Sequence, residues 1–383
     1  MKMLWRIGAG FGVMVVMTLA WLWTYGIPGW WYGVIAWFED PVEMQVIEAG
    51  VLPHMVSPRE NLPASGPALW CVTTDAAWQR LRAQLGGVGP VVAHQDALCG
   101  WLNSAANNAD TVAPPSTLFT FSGRATPESW ESLAKGLAGT FGIVPGIRQP
   151  EPVADGWIMY AHLKVVAAFA IPYLDTPDDL EFTPEDGVPI RVRAFGTIPR
   201  SGTRLPEGLA DQPIVWYDSI SVPNRETFLD PSTRQCAINI SGADAPVQII
   251  VALMPRPASL HDGWAAVLAE ARSHEPAPLR SSLAVPHVAF RSTGSLTPLL
   301  GLLTVPPGGG AITAADQVIE FQLDRTGVSL KAETMLKAVT AELPVPEYHF
   351  NRPFLLALKR RDADTPFFLA WITEKSGLAV RQR

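Results

Sequence analysis

The chain has 383 residues, of which 48% are hydrophobic and only 17% charged, and it carries 35 prolines and 31 glycines. That length suffices for one large core, and the composition excludes a disordered chain or a helical bundle in favour of a strand-and-turn-rich globular fold. A net charge of −7, with no Lys/Arg cluster set between aromatics, excludes a footprint on nucleic-acid phosphates.

No charge occurs between Arg6 and Glu39, and residues 7–23 form an almost unbroken apolar run, long enough to cross most of a bilayer as a helix. Lys2 and Arg6 precede the run, and Glu39, Asp40, Glu43 and Glu48 follow it, so the positive-inside bias sends everything downstream out of the cytoplasm. Residues 1–27 are therefore expected to be a transmembrane anchor, with the folded domain periplasmic or extracellular. The alternative is a signal cut near Thr18 and Ala20, which would release the protein. Trp30, Trp31, Tyr32 and Trp37 suit a membrane interface. Residues 41–67 hold five prolines without sustained periodicity, so 28–67 reads as an interfacial, proline-rich linker and the folded domain as 68–383.

Helical spacing predicts helices at 76–85 and 127–141, the second with Trp130, Leu133, Leu137 and Phe141 on one side. Strand patterns follow at 157–170, 189–195, 235–240, 247–254, 283–290 and 318–323. Residues 354–358 and 367–372 are apolar runs joined by KRRDADTP, a hairpin buried on both faces. Cys71, Cys99 and Cys236 contain no C-x-x-C pair; either Cys71 pairs with Cys99 or all three are buried thiols. The seven histidines show no metal-ligand spacing, there is no G-x-S-x-G elbow, and Gly308 to Gly310 lacks the Lys and Ser/Thr of a phosphate loop. The acidic residues between 178 and 186 read as a solvated turn. No nucleophile with a nearby base can be assembled, so neither an enzyme nor a metal or other cofactor is expected.

Residues 348–358, YHFNRPFLLAL, resemble the signature that serpins carry just after their reactive loop. In chain order, 247–260, 283–300 and 318–327 (VIEFQLDRTG) are similar to further segments of that family, the last to the strand and glycine hinge leading into the loop. The resemblance spans about 156–373 and is poor in the first third. It implies an α+β serpin-like fold with a large central mixed β-sheet, further sheets and surrounding helices, here behind a transmembrane helix.

The resemblance also implies that 327–347 is a reactive loop, bait for a serine or cysteine protease, whose N-terminal arm inserts into the central sheet after cleavage. The hinge would be Gly327, Val328, Leu330 and Ala332, the scissile region Thr340, Ala341 and Glu342, and the signature Phe350, Asn351, Arg352, Pro353 and Phe354. The implied partner is a protease, alongside a membrane reached through the N-terminal helix. Period two along the arm places Val328, Leu330, Ala332, Thr334, Leu336, Ala338 and Thr340 on one face. Leu330, Lys331 and Glu333 stand where inhibitory members carry small residues, and the same stretch has the composition of a surface helix, which leaves a non-inhibitory binding or structural module as the alternative.

Overall fold

The computed structural model describes residues 45–47, 53–104, 112–114, 117–145, 153, 155–199, 204–219, 234–279, 281–329 and 348–379. A nine-stranded main sheet is built around the 14-residue strand Ala311–Asp324. On one side this strand pairs antiparallel with Val288–Ser295, which in turn pairs parallel with Gln45–Ile47 at the edge. On its other side it runs parallel to Gly156–Leu163, which pairs antiparallel with Leu118–Arg124.

A seven-stranded sheet runs in the order Ala277–Pro278, Ile214–Asp218, Cys236–Asn239, Val247–Leu253, Phe354–Arg360, Phe368–Ile372 and Ala68–Cys71. All seven residues of Val247–Leu253 are buried, as are the first six of Phe354–Arg360, which is what continuous apolar runs require of strands covered on both faces. The two sheets share one core, in which the Phe321 ring stacks on Phe368 at 5.2 Å and on Phe290 at 5.4 Å. Helix Leu260–Arg272 adds Trp264 and Val267 to that core. A four-stranded sheet, Tyr348–His349, Leu283–Pro286, Ala194–Gly196 and Leu174–Asp175, completes the domain with the small pair Leu180–Phe182 and Ile190–Val192.

Helix Pro127–Phe141 has the predicted bounds. Thr126 caps it by accepting from the Ser129 amide, proline occupies its first turn, and Gly142 ends it in the left-handed region at φ 70°. Leu133 and Leu137 lie on Ile158 and Tyr160, so this helix covers the two strands at one side of the main sheet. Helix Thr73–Gln84 begins three residues before the prediction, and Trp78 and Leu81 from it pack with Trp157, Met159 and Ala161 against the same two strands.

Several expectations need correction. The expected strand 157–170 is two strands, Gly156–Leu163 and Val166–Ala168, because the chain swings away from its neighbour at Lys164 and Val165 and another strand enters there. The expected strand 283–290 is also two: the chain leaves the four-stranded sheet at Pro286 and joins the main sheet at Val288, one apolar run serving two sheets. Likewise 189–195 divides between two sheets, Ile190–Val192 and Ala194–Gly196. The linker expected at 28–67 is not free in its described part. Met55 and Val56 are buried, and the Met55 amide donates to Leu69 O at 2.8 Å, so packing starts ahead of Ala68. Residues 1–27 lie outside the described residues; among those described, no helix is long and apolar enough to cross a membrane.

Candidate functional site: the hinge strand and the fork of the main sheet

The strand Ala311–Asp324 has two different neighbours along its length. From Ala311 to Val318 it pairs directly and in parallel with residues 156–162. Beyond Val318 the two strands diverge into a fork, and the short strand Gly327–Ser329 fills the opening. That strand pairs antiparallel with Ala311–Asp324 on one side (Leu323 opposite Val328) and with Val166–Ala168 on the other (Ala167 opposite Val328).

The turn feeding this strand is built from its own side chains. Asp324 Oδ1 accepts from the Thr326 amide at 2.7 Å and its hydroxyl at 2.6 Å, while Gln322 Nε2 donates to Asp324 Oδ2 at 2.9 Å. The Phe169 and Tyr173 amides donate to the carbonyls of Thr326 and Arg325 at 2.8 and 2.7 Å, which ties the turn to the next segment of chain. Gly327 has φ 141°, and a Cβ there would stand 2.2 Å from Ala167 O and 2.8 Å from Ala168 Cα, so only glycine lets this backbone slip between its neighbours. Asp175 faces the turn, 3.6 Å from Arg325 Nε and 2.9 Å from His287 Nε2. Burial works to raise its carboxyl, but the His287 hydrogen bond and the charges of His287, Arg325 and Arg193 hold it below the usual range.

Val328 is 1% exposed and faces the core. Beside it, at the fork, is a largely apolar cavity of about 20 Å³ lined by Leu163, Val165, Ile319, Phe321, Leu358 and Phe368, with Cys71 and Glu320 also in the lining.

The far end of the segment is anchored as firmly. Tyr348–His349 pairs parallel with Leu283–Pro286. The Tyr348 hydroxyl donates to Asp218 Oδ2 at 2.6 Å; Arg234 grips the same carboxylate through Nη2 at 2.6 Å and Nε at 3.3 Å, and its guanidinium carbon lies 3.6 Å from the Tyr348 ring centre. Burial, then Asp218, pushes the Tyr348 hydroxyl well above its ordinary pKa.

Of the signature residues, Phe350 and Phe354 are fully buried and meet edge to face at 5.4 Å. Asn351 gives its carbonyl to the Thr183 amide, Arg352 donates to the Arg234 carbonyl, and Pro353 stands just before strand Phe354–Arg360. Signature and anchor form one unit.

The structure thus places Gly327 and Val328 in the fork and the signature at the far anchor. Leu330, Ala332, Thr340, Ala341 and Glu342 lie outside the described residues. The three cysteines are free and buried, with Cys71 and Cys99 in different cores. Among the described residues no group of three His, Cys, Asp or Glu could hold a metal ion.

Sequence reasoning missed one cluster. His54, Ser292, Gln317 and Thr73 form a chain of hydrogen bonds beside the directly paired stretch of the main sheet, and a lone histidine in a proline-rich stretch carries no pattern that announces it.

No protein-family model matches the sequence, and no curated protein matches it. Solved structures do. Native protease nexin-1, solved with heparin, superposes with a TM-score of 0.53 at 10% identity, covering 83% of this chain and 93% of that one. Human glycosylated kallistatin gives 0.49 at 11% identity, with 82% and 92% covered. Thyroxine-binding globulin with thyroxine gives 0.48 at 12%, with 84% and 94% covered. At this identity the likeness shows the fold alone: the chain has a serpin-like fold.

Proposed function

We propose that the domain is a protease inhibitor that presents residues 327–347 as bait and traps a serine or cysteine protease by inserting the arm of the cut loop into its own main sheet. The observation that carries this is the fork: an antiparallel strand from the hinge already sits between Ala311–Asp324 and Val166–Ala168, just where the chain running on from Gly156–Leu163 leaves its direct parallel pairing with Ala311–Asp324. A parallel pair that admits an antiparallel strand at one end has a strand's place to offer along the rest.

The hinge register supports the extent of insertion. Carried onward from Asp324 opposite Gly327 and Gln322 opposite Ser329, it sets Leu330 opposite Phe321, Ala332 opposite Ile319 and Thr340 opposite Ala311. The arm 327–340 then matches the strand Ala311–Asp324 from end to end, with the scissile region at Thr340, Ala341 and Glu342 just past the last pair. Phe321, Ile319 and Ala315, which would neighbour the incoming Leu330, Ala332 and Leu336, are all core residues.

In the reaction the protease nucleophile attacks the scissile carbonyl, the new amine end leaves with 348 and beyond, and the acyl bond stays on the arm. Insertion carries that acyl-enzyme away from the anchor at Tyr348 and distorts the protease site before water can cut the ester or thioester. This chain supplies no catalytic residue. Residues 1–27 hold the domain to the membrane with its fold outside the cytoplasm, which the charge asymmetry around the apolar run supports.

The test is incubation of the exported domain with a panel of serine and cysteine proteases. A covalent complex that survives SDS, and a rise in heat stability after the loop is cut, are expected. Cleavage by every protease with free departure and no gain in stability refutes the reading. It would leave a non-inhibitory binding or structural module of the envelope, a reading favoured by Leu330, Lys331 and Glu333 standing where small residues would insert most readily.

A further inference from the structure

Leu330, Lys331 and Glu333 bring bulk and charge to the stretch of arm where inhibitory members carry small residues. The walls of the fork are not neutral either. Each wall holds a fixed register with Gly327–Ser329, and that register carried onward names the neighbours of every arm residue. On Ala311–Asp324, Gln322 opposite Ser329 leads to Phe321 opposite Leu330, Glu320 opposite Lys331 and Val318 opposite Glu333. On the other wall, Val166 opposite Ser329 leads to Val165 opposite Leu330, Lys164 opposite Lys331 and His162 opposite Glu333.

Side chains alternate along a strand, so Leu330 follows Val328 onto the core face. The cavity at the fork lies in its path. Val328, Val165 and Leu163 line it from one wall, Ile319 and Phe321 from the other, and Cys71, Leu358 and Phe368 from the sheet behind. A void leaves its lining without partner atoms, and apolar bulk that enters beside Val328 restores those contacts. Leucine at 330 carries more of that bulk than the small residues of inhibitory members.

Lys331 and Glu333 fall on the opposite face, under helix Pro127–Phe141. Glu320 is already paired there with Arg291 at 3.1 Å on its far side, so a lysine on its near side continues an alternation of charge across three strands. The His162 ring centre lies 5.2 Å from that of Phe141 on the helix, and Phe119 stands opposite His162 on Leu118–Arg124. Those two rings bring no charge. Burial is the largest influence on His162 and lowers its pKa; Glu320 pulls it up and Lys164 pushes it down. Lys164 Nζ is on the same face, 5.9 Å from the Phe141 ring centre. Glu333 would thus stand opposite one base and diagonal to another. Lys164 also falls opposite Lys331, a repulsion that Glu320 and Glu333 offset from either side.

We propose that Leu330, Lys331 and Glu333 are keyed to this slot: Leu330 fills the cavity at the fork, Lys331 pairs with Glu320, and Glu333 pairs with His162 and Lys164. The inference rests on the bait-loop reading, and within it three residues that would otherwise obstruct insertion become the ones that set its register. A slip of one residue exchanges the faces. It would bring Lys331 into the apolar cavity and Leu330 against Glu320, so the keyed register excludes its neighbours.

The experiment compares the full chain before and after a single cut beyond residue 336, verified by mass, using calorimetric melting and NMR titration of the histidine rings. Each change is measured from the same variant uncut, so any effect on the folding of the uncut chain cancels. Cutting should raise the melting temperature of wild type. Leu330→Ala should lose roughly 5–10 °C of that rise, because the cavity stays open. Lys331→Gln and Glu320→Gln should each lose about 1–2 °C, and the two together no more than either alone. The His162 titration should move to higher pH after the cut in wild type and stay in place in Glu333→Gln, a response that lost packing alone does not produce. A rise in Leu330→Ala equal to that of wild type, or a His162 titration that ignores the cut, overturns the keyed fit and leaves the bait-loop reading standing. No rise in wild type refutes the bait-loop reading and the keyed fit with it.

Discussion

Gly327→Ala tests the hinge most directly. The added methyl meets Ala167 O at 2.2 Å and Ala168 Cα at 2.8 Å, both backbone atoms of a strand held in the sheet, so neither can yield without loss of pairing. The protein has two responses. Keeping the strand in place costs about 1–3 kcal/mol for a non-glycine residue at φ 141°, before any clash is counted. Expelling it exposes Val328, now 1% exposed, at about 2 kcal/mol, and gives up pairing on both sides. Either route costs about 3 kcal/mol, which at about 2–3 °C per kcal/mol in a domain of this size lowers the melting temperature by roughly 5–10 °C. Thermal unfolding by circular dichroism measures it. Limited proteolysis should also cut the arm of the variant sooner, because an expelled hinge lengthens the accessible segment. A melting temperature equal to wild type, with unchanged protection of the Val328 amide, would refute the placement of the hinge strand in the fork.

Two further outcomes are expected. Tyr348→Phe removes the donor 2.6 Å from Asp218 while leaving the Arg234 pair, and should cost about 1–3 kcal/mol in denaturant unfolding; no loss would mean that the far anchor of the loop does not depend on that bond. Burial lowers the His54 pKa from 6.5 to about 4, against a smaller opposing push from Gln317. The unfolded chain therefore takes up a proton that the folded one refuses. Stability from this group is fully present above pH 6.5 and is lost as pH falls toward 4, by about 3 kcal/mol in all. Urea unfolding across that range should show the decline, and His54→Gln, which cannot titrate, should flatten it.

Local chemistry was readable residue by residue. Thr126, Pro127 and Gly142 bracket a helix because a cap, a missing amide and a left-handed glycine each act within one turn of chain. The runs FLLAL and FFLAWI announced buried strands because nothing in them could face water, and Phe350 and Phe354, four residues apart, meet edge to face within the segment that carried the resemblance. Other features were not readable. The run 283–290 looks like one strand, and only the presence of two sheets at its ends divides it after Pro286. The His54–Gln317 hydrogen bond joins residues 263 positions apart, with no local constraint from which to infer it.

The amino-acid order by itself determined the apolar N-terminal run, the strand-rich class of fold and the buried hairpin, since each rests on composition or on interactions among near neighbours. Tertiary structure alone decided that the strand Gly327–Ser329 enters the main sheet, that Gln45–Ile47 adds a strand to its edge, and that Gln317 bonds to Thr73. Those facts depend on which distant segments pack together, and packing is set by the shapes of whole sheets meeting in three dimensions, where proximity along the chain counts for nothing.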